Sequence, residues 1–362
     1  MPSAAPEVTA ARAAATVPPH RAWLRELVQL LFRSFPFHTE PGLRVFGTPG
    51  RSAPVFVTCN FDHTVRMVSR VLGRYDCYLL VAPTGGMNVW CASAGGHFGT
   101  DEVEAAIRLS NIEDFVDHHR LVLPRLAAPG VDTKELRRRT GWRAVFGPIE
   151  IGDLPAWLEG EFPHLVPDQV RFPARRRAAM GVGAALWPAG LIGFPAGLIE
   201  GWQTGMLAAA LGYLLSVLFA LAYPYLPAEP GLRQAAALGG LLGAAAAGGA
   251  VVSGGAVAGP VFWGIALAAL GLLIGLDFPS WSPTDVCKQQ LLCFLYPATL
   301  APAGFLPTVD EPACIDGCDI CVRICPKGAL TLNERSKAEL IDPADCLSCY
   351  ACVQQCPVDA IS

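Results

Sequence analysis

The sequence predicts an α/β domain, then an all-α group of membrane-spanning helices, then a small α+β module rich in cysteine. From residue 54 to about residue 158, short β-branched runs alternate with helical stretches, which is typical of a mostly parallel sheet covered by helices. The stretch 178–276 carries only three charged residues, so it is apolar enough to enter a bilayer. Eight of the 13 cysteines lie within residues 314–356, at the spacing of metal ligands.

The composition indicates a protein that meets lipid. Hydrophobic residues make up 52% of the 362 residues and charged residues only 16%, whereas soluble domains carry about 25% charged residues. The net charge of −4 and the lack of a basic stripe argue against a nucleic-acid partner. The expected boundaries are a disordered arm at 1–20, the α/β domain at 21–175, four helices at 178–276, a linker at 277–309 and the cysteine module at 310–362.

The α/β domain is expected to be Rossmann-like. The predicted strands are 54–58, 77–81, 121–123 and 143–146, and the predicted helices are 65–72, 102–109 and 134–140. Ligands of such open sheets lie outside the carboxyl ends of the strands. The loops that begin at Thr58 and Pro83 are therefore the expected floor of a binding site.

The apolar stretch predicts a multi-pass protein of the cytoplasmic membrane, with lipid as a partner. The expected spans lie near 178–198, 204–224, 235–255 and 257–276. Three arginines, Arg175 to Arg177, precede the first span and favour a cytoplasmic amino-terminal domain. The cysteine module must be assembled in the cytoplasm, where thiols stay reduced, so both ends lie on that side and the number of spans is even. A buried soluble core is the alternative, but these segments lack an alternating polar face.

The cysteine module has the pattern of a two-cluster ferredoxin. Each of two runs contains four cysteines and ends in Cys-Pro. In such modules three cysteines of one run hold an iron–sulfur cluster, and the fourth ligates the other cluster. This assigns Cys314, Cys318, Cys321 and Cys356 to one 4Fe–4S cluster, and Cys325, Cys346, Cys349 and Cys352 to a second. Zinc is the alternative metal, but paired zinc sites do not call for Cys-Pro after each run.

A short motif after the second predicted strand suggests another metal ligand. Asn88 can cap a helix, which would place Cys91 in the first turn. The positive end of the helix dipole favours a thiolate there, and a thiolate can bind a metal. Gly95 and Gly96 would let a large planar group approach the backbone. Judged from the residues alone, a lone cysteine beside an apolar strand is more often a packed core residue.

The segment Asn88-Val89-Trp90-Cys91-Ala92-Ser93 resembles the cap-helix motif of the corrinoid protein of microbial mercury methylation. It is more distantly similar to the corrinoid iron–sulfur protein of acetyl-CoA synthesis. The resemblance covers roughly residues 35–175 and includes the segments 57–61, 97–100, 118–124 and 141–148. The mercury-methylation protein also carries a membrane domain and works with a separate two-cluster ferredoxin. This chain resembles both partners fused in one polypeptide.

The resemblance implies a corrinoid-dependent methyltransferase. Cys91 would ligate the cobalt of a cobalamin, which would take a methyl group from a methyltetrahydrofolate-linked donor. The residues implied to line the corrinoid are Thr58, Asn60, Asn88, Trp90, Gly95 and Gly96. The ferredoxin module, supplied by an upstream electron donor, would restore the cobalt after oxidation, and Hg(II) or another acceptor would receive the methyl group.

Two departures from the mercury family bear on the acceptor. Ala94-Gly95 stands where the family reads Gly-Lys, and the chain ends at Ile361-Ser362 without the cysteine pair of the family's ferredoxin. Two other readings therefore remain open. The chain could carry methyl groups to another acceptor, or it could be an iron–sulfur electron-transfer membrane protein without a corrinoid.

Overall fold

The computed structural model describes residues 23–24, 26–29, 37–160, 169–171, 173–222, 225, 305–343 and 346–362. The chain divides into two compact units. One comprises Met1–Ala22, Pro36–Val170 and Pro297–Ser362, and the other comprises Trp23–Phe35 and Arg171–Tyr296. The α/β domain and the cysteine module therefore belong to the same unit.

The α/β domain is built on a five-stranded, mostly parallel sheet. Its strands are β1 (Gly42–Phe46), β2 (Val55–Cys59), β3 (Cys77–Ala82), β4 (Arg120–Leu123) and β5 (Arg143–Phe146), in the order β1-β3-β2-β4-β5. The parallel pairs are β2 with β3, β2 with β4, and β4 with β5. The four predicted strands are confirmed. The antiparallel edge strand β1 was missed, since only its last residue is fully buried and its apolar signal is weak.

Helices cover both faces of this sheet, as the sequence predicts. The helices are α1 (Asp62–Leu72), α2 (Val89–Ala94), α3 (Thr100–Ser110), α4 (Thr133–Thr140) and α5 (Leu154–Leu158). Alternate residues of β2 enter two different cores: Val55 and Val57 pack with α3 and α4, whereas Phe56 packs with α1 and α5. All five residues of β2 are buried, so apolar residues occupy nearly every position of the strand. This pattern is typical of strands in a parallel sheet that is covered on both faces.

The parallel strands place several loops at one edge of the sheet. The strands β2 to β5 all run in the same direction, so their carboxyl ends meet there. The loops after β2 and β3 carry Asn60 and Thr84, and helix α2 follows directly after the second of these loops. The loop after β4 begins at Pro124 and leads to α4. This edge is therefore where the residues of a ligand site can converge.

The second unit consists of three described helices, α6 (Ala174–Ala184), α7 (Leu186–Glu200) and α8 (Trp202–Ala222). Helices α7 and α8 approach closely through small residues: a Cβ on Gly205 would lie 2.6 Å from the Gly197 Cα atom. Glycine at such a contact lets two apolar helices pack backbone to backbone.

The predicted four-helix membrane bundle is not supported by the described residues. Among them, one helix, Trp202–Ala222, could cross a membrane by length and composition, with 21 residues and a mean hydropathy of 2.1. A single helix of this kind also occurs in the cores of soluble proteins. The spans expected near 235–255 and 257–276 lie outside the described residues, as do the arm at 1–20 and most of the linker at 277–309.

The first predicted span, 178–198, is also not one helix. It is divided between α6 and α7 at Ala185. Ala185 keeps helical hydrogen bonds on both sides, since its N–H donates to the Gly181 carbonyl over 2.8 Å and its carbonyl accepts from the Ala189 N–H over 3.1 Å. Pro188, which has no N–H to donate, lies in the first turn of α7, where proline is tolerated. The arginines 175–177 lie inside α6 and not before it.

The cysteine module is a small α+β structure. It contains α9 (Ile320–Ile324), β6 (Leu330–Leu332), β7 (Ala338–Leu340) and α10 (Ala351–Gln354). The two strands form an antiparallel hairpin in which Leu330 pairs with Leu340. Its buried core includes Cys321 and Cys356 together with Leu330 and Ile361, so cysteine side chains from both runs point inward.

Candidate functional site

Helix α2 presents the Cys91 thiol on the protein surface. Asn88 caps the helix: its Oδ1 atom accepts a hydrogen bond of 2.9 Å from the Cys91 backbone N–H. The Asn88 Nδ2 atom also donates to the Cys91 Sγ atom over 3.3 Å. Both bonds hold the exposed thiol in the first turn, as the sequence predicts. An exposed thiol that is oriented by a hydrogen bond from a neighbouring side chain is a suitable metal ligand.

A buried hydrogen-bond network positions the loop that leads to α2. The Asn60 Oδ1 atom accepts from the Thr84 N–H, the Thr84 hydroxyl and the Gly86 N–H, over 3.1, 2.9 and 2.8 Å. The Thr84 Oγ1 atom in turn accepts from the Asn60 N–H over 3.1 Å. Gly86 has a φ of 76°, a conformation that glycine adopts without strain. Asn60 thereby joins the carboxyl ends of β2 and β3, and its predicted role as a corrinoid contact stays a prediction.

We expect Asn60→Ala to lower the free energy of unfolding by roughly 1–3 kcal/mol, because it removes the shared acceptor of three donors. The Thr84 N–H and hydroxyl also have the Ala82 and Met87 carbonyls as acceptors. Denaturant unfolding monitored by circular dichroism measures this change. Thr84→Val should produce a loss of the same kind, because it removes the hydroxyl from the same network. A loss below about 0.5 kcal/mol would show that the loop is held by other contacts.

Two of the predicted corrinoid contacts, Thr58 and Trp90, have buried polar atoms. The indole Nε1 of Trp90 and the hydroxyl of Thr58 are both buried without an acceptor or donor of ordinary geometry. The Thr58 hydroxyl lies near the Cys59 thiol, which is only a weak partner. Buried polar groups are nearly always satisfied. The protein itself shields both atoms, so the structure does not expose them to a ligand, and the predicted corrinoid contacts of Thr58 and Trp90 stay predictions.

The end of α2 is fixed to the loop after β4. The Ser93 hydroxyl donates to the Ala127 carbonyl over 3.1 Å and accepts from the Gly130 N–H over 2.9 Å. A Cβ on Gly130 would lie 2.3 Å from the Phe98 carbonyl oxygen, so only glycine fits there. Gly96, next to the helix end, has a φ of 74°. The predicted contact of Gly95 and Gly96 with a planar cofactor stays a prediction.

The cysteines at positions 59 and 77 belong to the core. Both side chains are fully buried in the sheet. Burial raises the pKa of the Cys59 thiol to about 11 and that of the Cys77 thiol to about 12. Thiols of this kind stay protonated at neutral pH and do not compete with Cys91 for a metal.

The eight cysteines of the carboxyl-terminal module border two separate cavities. One is bordered by the first cysteine set, which comprises Cys314, Cys318, Cys321 and Cys356. The other is bordered by the second cysteine set, which comprises Cys325, Cys346, Cys349 and Cys352. Each set combines three cysteines of one run with one cysteine of the other. This is the grouping that the two-cluster pattern predicts.

The surroundings of these sulfurs suit iron–sulfur clusters. Burial, and then the nearby Cys318 and Cys314, raise the pKa of the Cys321 thiol to about 12. Thiols packed this tightly ionise together only when cations balance their charge. The Ala329 N–H donates to the Cys325 Sγ atom, and the Ala360 N–H donates to the Cys356 Sγ atom, each over 3.2 Å. In the described residues, no three His, Cys, Asp or Glu side chains close around one point as ligands of a single ion.

Sequence reasoning missed the residues that position these sites. Thr84 and Ser93 are small polar residues whose importance comes from buried hydrogen bonds to distant parts of the chain. Gln355 stands beside a cluster cysteine, and nothing in its neighbourhood along the chain indicates its partners. The one local signal was the turn Pro83-Thr84-Gly85-Gly86, which marks a tight connection after a strand.

Comparison with known proteins divides the chain in the same way. Residues 28–158 match a family model described as CO dehydrogenase/acetyl-CoA synthase delta subunit. Residues 313–360 match a model described as 4Fe-4S dicluster domain. The amino-terminal domain is therefore similar to a family of acetyl-CoA synthesis proteins, and the carboxyl-terminal module is similar to dicluster iron–sulfur domains.

Several curated relatives are similar to the amino-terminal domain. The acetyl-CoA decarbonylase/synthase complex subunit gamma of Archaeoglobus fulgidus is 39% identical over 130 residues, which is 35% of this chain and 27% of the relative. The same subunit of Methanopyrus kandleri is 39% identical over 128 residues, again 35% and 27% of the two chains. That of Methanocaldococcus jannaschii is 30% identical over 135 residues, 37% of this chain and 27% of the relative. The match thus spans about a quarter of these relatives.

Proposed function

We propose that this chain is a corrinoid-dependent methyl carrier with its own iron–sulfur electron donor. The observation that carries the proposal is the capped Cys91 thiol at the carboxyl edge of an α/β sheet whose sequence is related to subunits of acetyl-CoA synthesis. The match of the carboxyl-terminal module to a dicluster domain supports the proposal that the chain carries its own electron donor.

The residues of the α/β domain would hold a cobalamin above α2. When bound, the corrinoid supplies a cobalt centre that accepts and releases a methyl group. Cys91 would ligate the metal, and Asn88 would keep the sulfur oriented through its Nδ2 hydrogen bond. Thr58 and Trp90 would line the macrocycle, as the cap-helix resemblance implies. Asn60 and Thr84 would hold the loop beneath.

The cysteine sets would each hold one 4Fe–4S cluster, and these clusters would return electrons to the corrinoid metal when it becomes oxidised. The two cavities, with four cysteines on the border of each, support this part of the proposal. Backbone N–H groups that donate to the ligating sulfurs stabilise the reduced form of a cluster and so tune its potential.

The comparisons do not identify the methyl acceptor. The relatives named above belong by name to acetyl-CoA chemistry, and none of those names refers to mercury. Hg(II), suggested by the cap-helix resemblance, remains one candidate, and an enzyme of acetyl-CoA synthesis is the other. The methyl donor in both cases would be a methyltetrahydrofolate-linked protein. Attachment to the cytoplasmic membrane, with α8 as one apolar helix, is a further part of the proposal.

The experiment that tests this function uses the full chain, purified without oxygen and loaded with hydroxocobalamin. After reduction with titanium(III) citrate, the protein receives carbon-14 methyl iodide and is separated by gel filtration. We expect label on the corrinoid-loaded protein well above that on corrinoid-free protein, which reports methylation of thiols alone. Hg(II) buffered with thiol is then added, and the release of labelled methylmercury is measured.

Each outcome of this experiment decides between functions. Release of methylmercury supports the mercury acceptor, and retention of the label supports a carrier for another acceptor. A folded protein that has intact clusters but binds no corrinoid would overturn both methyl-transfer readings. That result would favour an iron–sulfur electron-transfer protein, the second function that the dicluster match supports.

A further inference from the structure

The cysteine module lies against the α/β domain along the segment 125–134, which follows β4 and is called the docking segment below. Gln355, only 6% exposed, is at the centre of this contact. Its Nε2 atom donates to the carbonyls of Ala128 and Val131 over 2.9 and 2.6 Å, and its Oε1 atom accepts from the Thr133 hydroxyl over 2.9 Å. One amide thus makes three of the four hydrogen bonds open to it.

Further contacts surround this amide. The Lys134 ammonium donates to the Cys356 carbonyl over 2.8 Å and pairs with the Asp359 carboxylate. Arg125, 5% exposed, donates to the Arg323 carbonyl of the cysteine module over 3.4 Å and to the Gly147 carbonyl of the α/β domain over 3.3 Å. A buried arginine that donates to backbone carbonyls on both sides of a contact fixes the two surfaces relative to each other.

An apolar patch completes the contact and includes a sulfur of the second cysteine set. Ala128 of the docking segment is buried with Ile324 and Ala351 of the cysteine module. Phe146, at the end of β5, and Cys349 pack against these residues. The Cys349 side of the second cavity therefore faces the carboxyl edge of the sheet, the edge that also carries α2.

The docking segment is also the segment to which α2 is anchored. Ser93, two residues after Cys91, hydrogen-bonds to Ala127 and Gly130. Gln355 hydrogen-bonds to Ala128 and Val131 of the same turn. Hydrogen bonds thus link the Cys91 helix to Gln355: Ser93 donates to the Ala127 carbonyl, the Val131 N–H donates to the same carbonyl over 3.1 Å, and Gln355 donates to the Val131 carbonyl.

We propose that the cysteine module is a docked electron donor that serves the metal above Cys91 of its own chain, with Gln355 as the positioning residue. This inference rests on the proposed function. In such a step a reduced cluster of the second cysteine set would lose one electron and the metal held at Cys91 would gain it, with no atom moving between them. An external one-electron donor of low potential would then reduce the cluster again.

The chain offers a matched pair of variants for the test. Gln355→Ala removes the three hydrogen bonds of the contact, whereas Gln354→Ala makes the same change at the preceding residue, whose side chain is half-exposed. Iron content and the electron paramagnetic resonance signals of the reduced clusters are measured first in both variants. We expect both to equal the unmodified chain, because neither glutamine is a cluster ligand.

The first measurement needs no corrinoid. Amide hydrogen exchange of the full chain, read by mass spectrometry, is compared for peptides that cover the docking segment. We expect Gln355→Ala to speed exchange there by about tenfold, the factor that corresponds to ~1.4 kcal/mol of lost contact. Gln354→Ala should leave it unchanged. Equal exchange in the unmodified chain and in Gln355→Ala would overturn Gln355 as the residue that positions the module.

The second measurement is the rate of electron transfer from the clusters to the cobalt. The full chain, loaded with cobalamin in the cobalt(II) state, is mixed rapidly with less than one equivalent of titanium(III) citrate, and the cluster and cobalt absorbances are followed. We expect a transfer rate that does not depend on protein concentration and that falls about tenfold in Gln355→Ala. A rate that rises in proportion to protein concentration would overturn the proposal, because the donor would then lie on another molecule.

The two measurements separate this inference from the proposed function. If the chain binds no corrinoid, the proposed function fails, and hydrogen exchange still decides whether Gln355 docks the module. If the chain binds corrinoid but the transfer rate is the same in both glutamine variants and in the unmodified chain, the proposed function stands and the positioning role of Gln355 is overturned.

Discussion

Cys91→Ala is expected to abolish the optical signature of a thiolate bound to cobalt in the corrinoid-loaded protein. The reason is that Cys91 is the exposed thiol of α2, whereas the thiols of Cys59 and Cys77 are buried in the core and stay protonated. No other cysteine of the described α/β domain can therefore replace it. Absorption spectra of the loaded variant and its cobalt content after gel filtration measure the loss.

A second substitution at the same position controls for folding. Cys91→His offers an imidazole in place of the sulfur, and imidazole is itself a ligand of first-row transition metals. We expect it to retain corrinoid with a shifted spectrum, while Cys91→Ala retains less or none. Because Cys91 is exposed, both variants should unfold at a denaturant concentration close to that of the unmodified chain. An unchanged spectrum in Cys91→Ala would remove Cys91 as the ligand.

The second large effect concerns the pairing of cysteines across the two runs. Cys356→Ser is expected to remove the cluster of the first cysteine set, although Cys356 stands next in the sequence to the cysteines of the second. Cys352→Ser should instead remove the cluster of the second set. Each variant should lose about four of about eight iron atoms per chain, because each removes a ligand of one cluster only.

The two serine variants act as controls for each other. The electron paramagnetic resonance spectrum of each reduced variant should show the cluster that the other variant lacks, and the two spectra should lack the coupling of neighbouring clusters. If Cys356→Ser removed the cluster bound by Cys349, the crossed assignment would be wrong and each run would hold its own cluster. Complete loss of iron in both variants would show that the module folds only when both clusters are present.

Local patterns were enough to predict most of the α/β domain. The strands at 55–59 and 77–82 are short, continuously apolar and bounded by turn residues, so their burial on both faces could be inferred from residue type alone. The cap at Asn88 and the place of Cys91 in the first turn also follow from neighbouring residues. Strand β1 was not predicted, because this edge strand is half-exposed, contains Arg44 and lacks a continuous apolar run.

The membrane prediction shows where composition misleads. A stretch such as 178–198 is apolar throughout, yet the structure divides it into two helices at Ala185, three residues before Pro188. Mean hydropathy is an average over many residues, so it does not report where one helix ends and the next begins. In the described part of this region only α8 keeps both the length and the composition of a span.

By itself the sequence determined the order of the parts, the two cysteine runs and the cap that holds Cys91, because each depends on residues a few positions apart. Tertiary structure alone decided that Asn60 binds the Thr84 loop, that Ser93 binds the turn at 127–130, and that Gln355 binds Ala128 and Val131. These bonds join residues between 24 and 227 positions apart. Their partners are mostly backbone groups, which every residue carries alike, so only the folded chain selects which donor meets which acceptor.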